Sequence, residues 1–208
     1  ARQILQQGKA SGLKGEKFDQ LKAQLSSLSS SPQPPIESAG NPRKKRVDEL
    51  IALYTQGKLE EARVQGTALT NQFPQDPVIP NILGAIYAGL RWHEKAINSY
   101  KEAINREPRY AEAYYNLGNA LNELGKSEEA VNSYNKVIEF QPKYVEAYNN
   151  LANTLNKLGE SKEAINNYNK AIEIKPDYAE AHYNLGNVLK GLGKSEEAIN
   201  NYNKTVEL

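Results

Sequence analysis

Residues 111–144 read AEAYYNLGNALNELGKSEEAVNSYNKVIEFQPKY and residues 145–178 read VEAYNNLANTLNKLGESKEAINNYNKAIEIKPDY, identical at 21 of 34 positions. Self-similarity at a fixed period is the signature of a repeat architecture. Residues 179–208 carry the unit again and stop within it, while 77–110 and 43–76 carry it in more diverged form. The chain therefore reads as five units, starting at 43, 77, 111, 145 and 179, the last incomplete.

Within a unit, apolar or aromatic residues fall at positions 4, 7, 8 and 11, as in Tyr114, Leu117, Gly118 and Leu121, one stripe of an amphipathic helix. A second stripe follows in Ala130, Tyr134, Val137 and Ile138. Between the stripes lie Gly125, suited to a left-handed helix C-cap, and Ser127, suited to the next N-cap ahead of Glu128 and Glu129. Pro74, Pro108, Pro142 and Pro176 stand at position 32, where proline closes the second helix. Ala62, Ala96, Ala130, Ala164 and Ala198 occupy position 20, and Gly84, Gly118, Ala152 and Gly186 occupy position 8. Small side chains there let two helices approach closely, so each unit is expected to be a helix-turn-helix hairpin.

An aromatic at position 4, Leu at 7, Gly or Ala at 8, Ala at 20, Tyr at 24 and Pro at 32 resemble the tetratricopeptide repeat over residues 43–208. The resemblance implies an all-α, right-handed superhelical solenoid. Unit one departs from the pattern with Arg46, Glu49 and Gly66 at positions 4, 7 and 24, and unit two with Pro80 at position 4 and Arg91 in place of the turn glycine. These departures suggest an atypical entry to the array. Upstream, residues 1–31 suggest a short helical segment, and residues 32–42, the end of the stretch SSLSSSPQPPIESAGNP, read as a Pro/Ser-rich linker.

Composition narrows the chemistry. Twenty-six basic residues against 25 acidic ones give a formal charge of +1, which offers no electrostatic case for nucleic acid. RKKR at 43–46 opens the first repeat helix and reads as a solvated edge. With no cysteine there are no disulfides or thiolate sites. No apolar run approaches a membrane span and no signal segment opens the chain, so a cytoplasmic location is favoured without a compartment being specified. The chain begins at Ala1 and lacks methionine, as expected of a processed start or a piece of something longer.

Asparagine is a mediocre helix former, yet Asn116, Asn150 and Asn184 recur at position 6, and Asn119, Asn153 and Asn187 at position 9. At roughly 100° per residue these positions share a face with position 2, away from the core stripe. In a stacked array the first helices line the concave side, so residues one unit apart become neighbours along a groove. An amide offers a donor and an acceptor, matching the backbone of any extended peptide. Packing and inter-unit hydrogen bonding is the competing reading, with position 6 favoured for binding and position 9 for structure. Tyr115 and Tyr183, at position 5, are candidates for apolar shelves under ligand side chains or for packing against the next unit.

The position-6 residues are similar to the asparagine ladder that holds substrate peptides in the tetratricopeptide superhelix of O-GlcNAc transferase. Bacterial arrays of this style are often joined to glycosyltransferase or sulfotransferase domains, so the resemblance permits a recruiting arm of a larger enzyme, which no residue here demonstrates. The carboxylate-clamp mode of the family needs basic residues where this chain has Glu112, Glu146, Glu180 and asparagines. Further asparagines, Asn132, Asn135, Asn166, Asn169, Asn200 and Asn203, are expected to be exposed on second helices. His182 stands where its counterparts are Tyr114 and Tyr148 and reads as packed, and His93 follows Trp92 in a turn. No metal-ligand spacing, cofactor loop or nucleophile arrangement is present in the sequence. The expected function is a non-enzymatic protein-interaction module binding an extended peptide segment. The alternative is a scaffold or filament built by end-to-end stacking of solenoids, making a homo-oligomer through uncapped ends.

Overall fold

The computed structural model describes residues 41–208, which form ten helices. They are α1 (Pro42–Thr55), α2 (Leu59–Gln72), α3 (Val78–Gly89), α4 (His93–Arg106), α5 (Ala111–Glu123), α6 (Ser127–Phe140), α7 (Val145–Lys157), α8 (Ser161–Ile174), α9 (Ala179–Gly191) and α10 (Ser195–Glu207). The helical segment read at 1–31 and nearly all of the 32–42 linker lie outside the described residues. The linker's last residue, Pro42, is instead the first residue of α1: Asn41 Oδ1 accepts the Arg43 N–H at 3.1 Å, and proline needs no donor at that position.

The chain divides into a unit ending at Pro74 and a unit spanning Gln75–Leu208. In the first, α1 packs on α2, with Leu50 and Ala62 both fully buried. Despite its atypical residues it keeps the hairpin register, with a left-handed Gly57 in the turn.

In the second unit, α3 to α10 make four hairpins. Each second helix packs against its own first helix and against the first helix of the next hairpin, and successive first helices touch each other as well. Closer approach on the first-helix side places those helices on the inner face of the stack.

Local chemistry explains the repeat. Each first helix ends in a Schellman motif: the Gly125 N–H reaches Asn122 O at 3.0 Å and the Lys126 N–H reaches Leu121 O at 2.9 Å. The residue at the tip must be left-handed, and Gly125 has φ 73°. In the second hairpin the same bonds form around Arg91, which is driven to φ 65°. Ser127 corrects an expectation: it is the first residue of α6 rather than its N-cap, and Lys126, which makes no side-chain capping bond, stands at the cap. The tight turn leaves a single residue between the left-handed glycine and the helix. The second helices end just before position 32, with Glu107, Gln141 and Lys175 held extended ahead of the prolines.

The core lies between the paired helices. Ala96, Ala130 and Ala164 have no solvent exposure. A Cβ added to Gly84 would stand 2.5 Å from Tyr100 Cε1, and one added to Gly118 would stand 2.6 Å from Tyr134 Cε1. The glycine at position 8 therefore seats the tyrosine ring at position 24. Sulfur-free and closely packed, this core rests on tyrosine and alanine.

Candidate functional site: the inner face of the first helices

Three polar positions meet at each junction between hairpins. At the junction of α3 with α5, Asn81 is buried; its Nδ2 donates to Glu112 Oε1 at 3.2 Å and to the Tyr110 hydroxyl at 3.3 Å, and its Oδ1 accepts from Asn116 Nδ2 at 3.0 Å. The junction of α7 with α9 repeats the arrangement. Asn149, with no solvent exposure, donates to Glu180 Oε1 at 2.7 Å and accepts from Asn184 Nδ2 at 3.2 Å, while the Tyr178 hydroxyl donates to Glu180 Oε2 at 3.2 Å. Between them, at the junction of α5 with α7, Tyr115 takes the place of the asparagine. Its hydroxyl accepts from Asn150 Nδ2 at 3.0 Å, and the same amide donates to Asn119 Oδ1 at 3.0 Å.

The position-6 asparagines were expected to miss the core, yet Asn116 is only 9% exposed, because the next hairpin closes over this part of the helix face. Asn150 and Asn184 are half-buried. All three direct Nδ2 backwards to the preceding hairpin. The carbonyl oxygens of Asn116 and Asn184 have no partner among the described residues, and that of Asn150 has a long contact of 3.4 Å from Asn149 Nδ2.

At position 9 the asparagines accept from tyrosine hydroxyls within their own hairpin: Tyr134 to Asn119 at 2.7 Å, Tyr168 to Asn153 at 2.6 Å and Tyr202 to Asn187 at 2.9 Å. Tyr115 is 7% exposed and stacks near Tyr144, with ring centroids 5.1 Å apart, whereas Tyr183 in the last hairpin is 51% exposed. Asn132, Asn135, Asn166, Asn169, Asn200 and Asn203 are exposed, as expected. Asn81 and Asn149 escaped the sequence reading. The signal was there, an asparagine at position 5 followed 31 residues later by glutamate at position 2, but it pairs two units and cannot be seen within one.

Electrostatics on this face follow from burial and from the glutamates. Burial pushes the Tyr115 hydroxyl up to about 12, with Glu146 and Glu180 adding to the rise. Tyr144 and Tyr178 are pushed well above the ordinary tyrosine range, first by burial and then by nearby negative charge, including that of Glu146 in both cases.

His182 is packed. Its Nε2 lies 3.1 Å from Pro176 O, matching the Tyr148 hydroxyl that donates to Pro142 O at 3.3 Å in the preceding hairpin, and its Nδ1 lies 3.1 Å from Asn201 Oδ1. Among the described residues no group of three His, Cys, Asp or Glu could hold a metal ion, and no helix is long and apolar enough to cross a membrane.

Family models carry the same conclusion as the geometry. A TPR repeat model matches residues 93–125, 118–159 and 152–193, and a tetratricopeptide repeat model matches 179–208. Compared with curated proteins, the chain has no match. Among solved structures, a crystal structure of MamA has a TM-score of 0.72 and 27% identity, over 76% of this chain and 92% of that one. MamA from Desulfovibrio magneticus RS-1 has a TM-score of 0.74 and 20% identity, over 81% of this chain and 96% of that one. YrrB, described as a TPR protein with an unusual peptide-binding site, has a TM-score of 0.66 and 19% identity, over 81% of this chain and 93% of that one. With hairpin register, turn geometry and family models in agreement across residues 93–208, the chain belongs to the tetratricopeptide repeat family.

Proposed function

We propose that residues 75–208 form a protein-interaction module that holds an extended peptide segment along the inner face of the first helices, without catalysing a reaction. The observation that carries this reading is the row of position-6 asparagines. Their donors are engaged across the junctions, which holds the side chains still, and their carbonyl oxygens, free at Asn116 and Asn184 and held only by a long contact at Asn150, are left to accept from outside. First helices pack at roughly 10 Å and an extended chain rises roughly 3.3 Å per residue, so one asparagine per hairpin meets about every third residue. Backbone N–H groups donating into such a row give affinity that reads little sequence. YrrB, with the same fold, is described as having a peptide-binding site.

Selection from a displayed library of random dodecapeptides tests the reading. The chain should enrich a pool of binders, and replacing Asn116, Asn150 and Asn184 together by alanine should abolish capture of that pool while the folded circular dichroism signal remains at low temperature. The triple variant at the exposed Asn132, Asn166 and Asn200 should bind as before. An empty selection, or normal capture by the first variant, removes the reading. Whether the array recruits for a catalytic domain is decided by the full open reading frame.

A second reading, head-to-tail association, has its own observation. Tyr183, Leu192, Ile199, Val206 and Leu208 are each more than half exposed on the last hairpin, whereas Tyr115, the counterpart of Tyr183, is covered by the hairpin that follows it. Light scattering across a hundredfold dilution separates the two, since association makes the mass depend on concentration.

A further inference from the structure

We propose that the segment bound in this groove carries a lysine or arginine, and that Glu146, at the central junction, is the residue that selects it; this rests on the peptide-binding reading above. The three junctions use the same positions, but only the outer two satisfy them internally. Glu112 and Glu180 each accept from a buried asparagine at position 5 of the hairpin before. The hydroxyls of Tyr110 and Tyr178 are likewise bonded, one to that asparagine and one to the glutamate.

At the central junction tyrosine replaces the asparagine, and Tyr115, whose hydroxyl accepts from Asn150, makes no hydrogen bond to Glu146. Glu146 is consequently exposed with no hydrogen-bond or ion-pair partner among the described residues, and the Tyr144 hydroxyl beside it has no side-chain partner either. A second group on the same face is open to a ligand: Asn116, only 9% exposed, keeps a carbonyl oxygen without a partner among the described residues and still reached by solvent. Glu112 and Glu146 hold position 2 of successive first helices, with Asn116 one helical turn beyond Glu112, and Tyr144 between them feels the charge of both.

The inner-face positions 2, 5, 6 and 9 of the last three hairpins hold glutamate, asparagine and tyrosine only, so none of them carries a cation, and the pairs Lys136–Glu139, Lys170–Glu173 and Lys204–Glu207 link neighbours on second helices. A free carboxylate next to an aromatic face and neutral acceptors suits an ammonium or guanidinium group. Acidic side chains would be repelled, and an apolar one would leave Glu146 desolvated without a partner.

The test uses the same dodecapeptide display on the full chain and on two variants, with circular dichroism establishing that each is folded. Wild type should enrich binders with Lys or Arg at one fixed position, and replacing that residue by norleucine in a synthetic peptide should weaken binding about tenfold, the size of one charge-assisted contact. Glu146→Gln should lose the preference at that position alone, and Glu146→Lys should invert it to Asp or Glu. Enriched binders without a cationic position, or a preference unchanged in Glu146→Gln, overturn the inference and leave the peptide-binding reading standing. An empty selection overturns both.

Discussion

Asn149 donates from Nδ2 to Glu180 Oε1 at 2.7 Å across the last junction, from a site with no solvent exposure. The bond links two hairpins through a buried amide, and the same amide's oxygen receives Asn184. Because each repeat contacts only its neighbours, such links carry the interface terms that make a solenoid cooperative. Replacing Asn149 by alanine removes both bonds and leaves a small void, so the expected loss is about 2–4 kcal/mol. Urea unfolding checks it, and a loss below about 1 kcal/mol would show that the junction relaxes around the change.

Arg91 offers a gain of stability. It occupies φ 65° where the other four first-helix turns hold glycine. A left-handed residue with a side chain costs about 1–2 kcal/mol relative to its preferred conformation. Arg91→Gly should therefore stabilise the fold by about 0.5–1 kcal/mol once the added freedom of the unfolded glycine is allowed for. The readout is the urea midpoint, which should rise with an unchanged slope.

Gly118 and Gly125 should both resist alanine, for different reasons. Alanine at 118 brings a methyl within 2.6 Å of the Tyr134 ring, an overpacking penalty of about 1–3 kcal/mol that the ring can lessen by shifting, as Ala152 in the next hairpin implies. At 125 nothing lies within 4 Å and the penalty of about 1 kcal/mol comes from φ 73° alone. Combining Gly118→Ala with Tyr134→Leu should recover part of the first loss, while Gly125→Ala should be indifferent to Tyr134. A double-mutant cycle reads the difference.

Alkaline pH should unfold the array before its buried tyrosines deprotonate in the folded state. The Tyr115 hydroxyl is raised to about 12 in the folded state, against about 10 for an ordinary tyrosine. Its contribution is fully present below pH 10, where both states are protonated. Above that the unfolded chain gives up the proton first, and stability falls by up to about 1.4 kcal/mol per pH unit until the folded value is passed. Tyr144 and Tyr178 are raised in the same direction and add to the slope. Tyrosinate absorbance and far-ultraviolet circular dichroism, followed together from pH 9 upwards, should change in one cooperative step. Smooth titration near 10 with intact helicity would contradict it.

The repeat period, the hairpin, the turn glycines and the closing prolines were legible because each is a local property: helix periodicity, φ preference and the missing N–H of proline act within a few residues. Even unit one kept its register despite Arg46 and Gly66, since Gly57 and the spacing of its helices were enough. The asparagines were legible as a ladder on one face. What one helix could not reveal was how they are shared. Asn116 reaches Asn81, Asn150 reaches Tyr115 and Asn184 reaches Asn149, each 35 residues away. Those pairings exist only once hairpins stack, because stacking removes water from amides that would otherwise bond to it, and only then does a choice between asparagine and tyrosine at position 5 decide which glutamate is held and which is left free. Sequence by itself determined the unit and its orientation; tertiary packing decided which polar groups face a partner, since burial and hydrogen bonding between units are not properties of any single one.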